Sequence, residues 1–120
     1  MPVMETPTIR PEELKALLDG GKTPVLLDVR QPEEVKVAAI AGSVSIPMNE
    51  VPWRIDELDA KADIVVYCHH GMRSQQVAQL LQMRGFKTVR NLVGGIDAWS
   101  LTVDPKVPRY EYDGRRIRAL

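Results

Sequence analysis

The segment Cys68-His69-His70-Gly71-Met72-Arg73-Ser74 holds the residues best suited to chemistry, and Cys68 is the only cysteine of the 120-residue chain. A lone cysteine is most often a small buried hydrophobe. Here it stands where an apolar run ends and a helical pattern begins, with a glycine three residues on and an arginine five residues on. A loop entering a helix can turn its backbone N–H groups inward and make a nest for an anion. Those N–H groups, the positive end of the helix and the Arg73 guanidinium all favour a thiolate, so Cys68 is read as a reactive nucleophile. Gly71 permits a backbone turn that other residues resist. His69, His70, Gly71, Met72 and Arg73 are the expected substrate-binding residues. The plainer reading of the histidines is that one lines the loop and the other faces solvent. A metal role for the pair is set aside, because no further ligand accompanies them.

The charges around this segment are uneven although the net charge is zero. From Met1 to Asp63 there are 12 acids against 7 Lys plus Arg, a balance of −5. From Ile64 to Ile96 there is no acid, against Arg73, Arg84, Lys87 and Arg90. A locally positive field in a neutral chain favours a small anionic substrate over a nucleic acid, which calls for a larger basic excess. The plainer alternative is that Arg84, Lys87 and Arg90 are solvated surface positions.

The elements that position Cys68 follow from the patterning. Ile64-Val65-Val66-Tyr67, β-branched and aromatic throughout, reads as a buried strand running straight into Cys68. A helix from about Ser74 to Arg84 follows, closed by Gly85. Upstream, Pro11 to Leu18 reads as a helix ending at Gly20-Gly21, and Val25-Leu26-Leu27 as a second buried strand ending at Asp28. Gln31 to Glu34 opens a short helical turn, Val44 to Ile46 is a short strand, and Pro52 to Leu58 a helix carrying Trp53, Ile55 and Leu58. Thr88 to Leu92 is a further strand, and Ile96 to Trp99 a short helix. Alternating strands and helices predict an α/β fold, a three-layer domain with a central, mainly parallel sheet flanked by helices. Ligands in such sheets lie beyond the carboxyl ends of the strands, where Cys68 sits. The hydrophobic share of 44% and charged share of 27% fit one globular domain with a real core. No apolar run approaches the ~20 residues of a membrane span, and the start Met1-Pro2-Val3-Met4-Glu5 lacks a secretory pattern, so a cytoplasmic address is expected.

Four motifs in order resemble the rhodanese family of sulfurtransferases. They are Leu27-Asp28-Val29-Arg30 with Pro32-Glu33-Glu34, then Ile40-Ala41-Gly42-Ser43-Val44-Ser45-Ile46-Pro47, then Cys68 to Ser74, then Gly94-Gly95-Ile96-Asp97-Ala98-Trp99. One departure is Ala38-Ala39, where the family commonly has Gly-His before the isoleucine; altered local packing is expected there. The resemblance implies a rhodanese-like domain over 8–99. Residues 100–120 are read as a C-terminal extension that packs on the domain or trails from it. It also implies a persulfide on Cys68, a thiosulfate sulfurtransferase activity, and no cofactor. Expected partners are a small anionic sulfur donor, a thiol or cyanide acceptor, and a protein sulfur acceptor in a carrier variant, without nucleic acid or membrane. Thiosulfate is preferred to mercaptopyruvate because of Arg73 and the positive stretch. Asp28, Arg30 and Glu34 are read as a structural polar network, Trp53 and Trp99 as packing residues. Arg109, Arg115, Arg116 and Arg118 are read as a solvated tail in preference to a docking surface.

Two rivals are carried. A phosphatase or arsenate reductase on the same fold has five residues between cysteine and arginine, whereas only His69, His70, Gly71 and Met72 intervene here. The shorter ring suits one sulfur better than a phosphate. A non-enzymatic interaction module is the other, since fold alone does not guarantee function.

Overall fold

The computed structural model describes residues 5–120; residues 1–4, part of the start read above for a secretory pattern, lie outside the described residues. The strands are β1 (Thr8–Ile9), β2 (Val25–Asp28), β3 (Val44–Ser45), β4 (Ile64–Tyr67) and β5 (Val89–Leu92). They form one sheet in the order β1-β5-β4-β2-β3, every neighbouring pair parallel. The helices are α1 (Pro11–Asp19), α2 (Pro32–Val37), α3 (Val51–Arg54, flanked by single 3-10 turns), α4 (Met72–Met83) and α5 (Gly95–Thr102). A two-stranded antiparallel hairpin, β6 (Tyr110–Tyr112) and β7 (Ile117–Ala119), follows. The architecture is thus a three-layer α/β domain with a parallel central sheet. Among the described residues no helix is long and apolar enough to cross a membrane.

Alternation along β4 builds both cores. Ile64 and Val66 point to one face, where Val77, Ala78 and Leu81 of α4 and Val51 of α3 cover them. Val65 and Tyr67 point to the other, against Leu14 of α1, Ile96 and Trp99 of α5, and Tyr110 of the hairpin. All four β4 side chains are fully buried, which is why the run carries no polar residue. The same period places Cys68 on the α4 side with Ile64 and Val66.

Trp99 is buried, but Trp53 is not a packing residue: it is 82% exposed. The reason is helical period. Val51 and Ile55, four residues apart, turn to the core, and Trp53 midway between them faces outward.

Asp28 and Arg30 are wholly buried at the carboxyl end of β2. Arg30 donates to both Asp28 carboxylate oxygens, at 2.9 and 2.6 Å, and to the carbonyl of Ala38 at 2.6 Å. A further N–H reaches the Tyr110 hydroxyl at 2.9 Å, and that hydroxyl donates to Glu34 Oε1 at 2.9 Å. The polar network of Asp28, Arg30 and Glu34 is therefore closed by a tyrosine from the C-terminal hairpin. At the departure noted in sequence, Ala38 is buried and its carbonyl serves this network.

Candidate active site

Cys68 lies between the end of β4 and the start of α4, with 1% of its surface exposed. Gly71 N–H donates to Cys68 Sγ at 3.0 Å. Gly71 precedes the first residue of α4 and takes φ +109°, a left-handed value that glycine adopts without strain. The sulfur therefore meets an N–H at the positive end of a twelve-residue helix.

Three other elements hold the loop. The α5 N-terminus donates Ile96 N–H to the carbonyl of Cys68 at 2.9 Å and Asp97 N–H to that of His69 at 3.2 Å. These helix-end donors need outside partners, and the loop carbonyls supply them. Because a trans peptide is planar with C=O and N–H opposed, the N–H groups of His69 and His70 point away from α5. Gly95 makes this approach possible. A Cβ there would stand 2.5 Å from the carbonyl oxygens of both Cys68 and His69.

Ser74 and Asn91 fix the far side of the loop. Asn91 Nδ2 donates to the Gly71 carbonyl at 3.0 Å. Ser74 Oγ stands 2.6 Å from Asn91 Oδ1, 3.2 Å from the Gly71 carbonyl and 3.3 Å from Cys68 Sγ. A hydroxyl has one proton to give, and a negative charge on sulfur draws it from the amide toward Sγ. Both residues are buried, and sequence reading did not assign them a task. Ser74 was visible as the last residue of the motif; Asn91, in a strand, left no signal.

His69 is buried and His70 exposed. The His69 ring stacks on Tyr110 at 4.1 Å, and its Nε2–H donates to the Tyr110 carbonyl at 2.9 Å. Burial, and then repulsion from His70, push the His69 pKa below its ordinary value. The carbonyl acceptor requires a proton on Nε2, and the lowered pKa favours the neutral ring. Met72 is exposed at the start of α4.

Arg73 is bound to a partner from α2. Its two terminal nitrogens donate to the two carboxylate oxygens of Glu34 at 2.8 and 2.9 Å. The guanidinium also lies over the Tyr112 ring at 5.8 Å. Burial works to raise the Glu34 pKa, but Arg73, the Gln31 N–H and the Tyr110 hydroxyl outweigh it and hold the carboxyl below its ordinary 4.5. Folding similarly brings Asp63 onto Arg90 at 3.0 Å. Acids from the Met1–Asp63 stretch thus offset two of the four bases in the acid-free stretch.

The unfolded chain binds the Glu34 proton near pH 4.5 and the folded one only at lower pH. The pair therefore stabilises fully above that value, and its contribution fades as pH falls through the folded pKa. Glu34→Gln will cost about 2 kcal/mol at pH 7, the scale of charge-assisted bonds to one buried carboxylate. In urea titrations from pH 7 to pH 3, the gap to wild type will narrow below about pH 4.5. A gap independent of pH would show that the charge of Glu34 is not what stabilises.

The hairpin closes the outer side. A cavity of about 490 Å³ lies between His69 and His70 and the hairpin residues Glu111, Tyr112, Asp113, Arg116 and Arg118. The turn Asp113-Gly114 between two short runs was the available sequence signal for this hairpin.

Comparison with known proteins places these features in a family. The family model described as Rhodanese-like domain matches residues 10–102. A sulfurtransferase of Allochromatium vinosum is 36% identical over 89 residues, covering 74% of this chain and 83% of that protein. The chloroplastic Rhodanese-like/PpiC domain-containing protein 12 of Arabidopsis thaliana is 44% identical over 89 residues, 71% of this chain. The crystal structure of a rhodanese-like domain protein from Staphylococcus aureus superposes with a TM-score of 0.77 at 27% identity, covering 88% of this chain and 100% of that one. The chain spans only 30% of the Arabidopsis protein and 24% of a maize adenylyltransferase and sulfurtransferase, MOCS3-1. The hairpin lies beyond the family match.

Proposed function

The chain belongs to the family of rhodanese-like domains, and from that membership we propose that Cys68 carries sulfane sulfur from an anionic donor, thiosulfate first among them, to a thiophilic acceptor. The observation that carries this reading is the 3.0 Å bond from Gly71 N–H to Cys68 Sγ at the head of α4. An N–H aimed at sulfur stabilises the negative charge that sulfur bears before and after attack.

In the first step the Cys68 thiolate attacks the outer sulfur of thiosulfate. An Sγ–S bond forms, the S–S bond of the donor breaks, and the electron pair leaves with sulfite. In the second step a nucleophile takes the terminal sulfur. Cyanide forms a C–S bond, the Sγ–S bond breaks, and its electron pair restores the thiolate as thiocyanate departs. No outside oxidant or reductant is needed, and two separated half-reactions give ping-pong kinetics. Gly71 shapes the loop, while His70 and Met72 border the entry of the donor. Arg73 offers its remaining N–H groups to the sulfonate oxygens while Glu34 holds it in place.

The test is thiocyanate production from thiosulfate and cyanide, run on the wild type and on Cys68→Ser, with intact mass after thiosulfate alone. The expected result is turnover and a gain of one sulfur atom, about 32 Da, in the wild type only. A mass gain without turnover would mean a carrier that discharges to another acceptor. Neither signal in folded, reduced protein would rule out thiosulfate and turn attention to mercaptopyruvate and to the interaction-module reading.

A further inference from the structure

The cavity outside the active loop is far larger than a two-sulfur anion needs. Its volume of about 490 Å³ falls in the range of sites for organic ligands of some size, roughly 300–1,000 Å³. One wall is His69 and His70. With Cα atoms about 3.8 Å apart along the chain, the Cα of His70 is at most ~7.6 Å from that of Cys68. The opposite wall belongs to the hairpin, which is keyed to the loop at two points. The Tyr110 ring stacks on His69 and its backbone carbonyl accepts a hydrogen bond from His69 Nε2–H, and the Tyr112 ring lies under Arg73.

The charges in this cavity are not equivalent. Arg118 is paired with Glu111 at 2.6 Å. Outside that lining, Arg73 is bound by Glu34 and Arg109 by Asp97. Arg116 lines the cavity, and among the described residues no carboxylate lies within ion-pairing distance of its guanidinium. Asp113 receives the N–H groups of Arg115 and Arg116 on a single oxygen, at 2.8 Å each. A ligand in this space therefore meets a free cation, a carboxylate and an aromatic face next to the sulfur-bearing loop.

We infer that the C-terminal hairpin builds an acceptor subsite, in which Arg116 holds the carboxylate of a low-molecular-weight thiol of amino-acid or small-peptide type. The inference rests on the sulfur-transfer reading, and it assigns Arg116 to specificity rather than to a solvated tail. In the step it serves, the acceptor RSH loses its proton and its sulfur attacks the terminal sulfur of the Cys68 persulfide. An R–S–S bond forms, the Sγ–S bond breaks, and the electron pair returns to Sγ. The proton ends on the new persulfide RSSH. An ammonium group on the same acceptor would face Asp113.

Two measurements on the full chain test it. Binding of S-methylglutathione, which cannot react, is followed by calorimetry on the wild type and on Arg116→Gln. Binding to the wild type, weakened about tenfold in the variant, is expected for loss of one charge-assisted contact. No binding, or equal binding to both, overturns the subsite whatever the turnover. With thiosulfate as donor, kcat/KM is then compared for glutathione, 2-mercaptoethanol and cyanide. The variant's loss with glutathione should exceed its loss with each of the other two by about tenfold. Equal losses with all three acceptors would overturn the assignment of Arg116. Wild type that makes no thiocyanate would instead count against sulfur transfer itself, and the binding arm still decides the subsite.

Discussion

Gly95→Ala will lower the melting temperature by about 10 °C or more and slow persulfide formation, although residue 95 is not in the active loop. Two costs add. Gly95 sits at φ +62°, where a Cβ meets its own backbone at about 1–2 kcal/mol. The larger cost is external: the added carbon would stand 2.5 Å from the carbonyl oxygens of Cys68 and His69. Those are backbone atoms and cannot rotate away, unlike a flexible side chain. Relief requires α5 to retreat, which stretches the bonds from Ile96 N–H and Asp97 N–H that hold both carbonyls. Overpacking of this kind costs about 1–3 kcal/mol, giving a total near 2–5 kcal/mol from a domain stabilised by only ~5–15. At roughly 3–6 °C per kcal/mol for a chain of this size, the shift is easily read by calorimetry. Gly94→Ala provides the contrast. Its clash is with the Cβ of Ala98 inside α5, so it should destabilise while sparing the loop. Equal melting temperatures and equal sulfuration rates for wild type and Gly95→Ala would show that α5 does not position Cys68.

The site was legible in sequence as far as its motif is contiguous. Cys68 to Ser74 follows a run, Ile64 to Tyr67, whose residue types admit little but a buried strand, and α4 shows its period plainly. β2 was readable for the same reason. The edge strand β1 was not, because two residues leave no alternation to detect. Trp53 was misjudged because residue type outweighed phase: it lies midway between the core-facing Val51 and Ile55. The positive stretch around Cys68 along the chain is halved in space. Glu34 and Asp63 reach Arg73 and Arg90 from 39 and 27 residues away, and a local charge count cannot see that. The hairpin was the largest omission. Its strands of three residues are too short for propensity, and Tyr110 reads as an ordinary aromatic until the fold places it between Arg30, Glu34 and His69.

That buried junction yields the other large effect: Arg30→Met will destabilise the domain by about 3–5 kcal/mol, the scale of breaking a buried ion pair by removing one partner. Arg30 and Asp28 have no exposed surface. Burial works to lower the guanidinium pKa, but Asp28 and the Tyr110 hydroxyl outweigh it and raise it. Methionine fills much of the same volume and removes the charge. The Asp28 carboxylate is then left with the Arg30 backbone N–H at 3.1 Å as its remaining donor at that residue, and the Ala38 carbonyl loses its guanidinium contact. The Tyr110 hydroxyl keeps Glu34 but loses Arg30, so the hairpin is loosened along with β2. In urea the midpoint should fall by on the order of 2 M. Asp28→Leu combined with Arg30→Met should recover part of the loss, because an apolar pair leaves no charge unpaired. A double variant less stable than Arg30→Met alone would mean that Asp28 contributes through bonds other than the ion pair. An Arg30→Met midpoint close to wild type would mean that the pair barely offsets its own desolvation, and that packing from Leu27, Val29 and Tyr110 holds this end of β2.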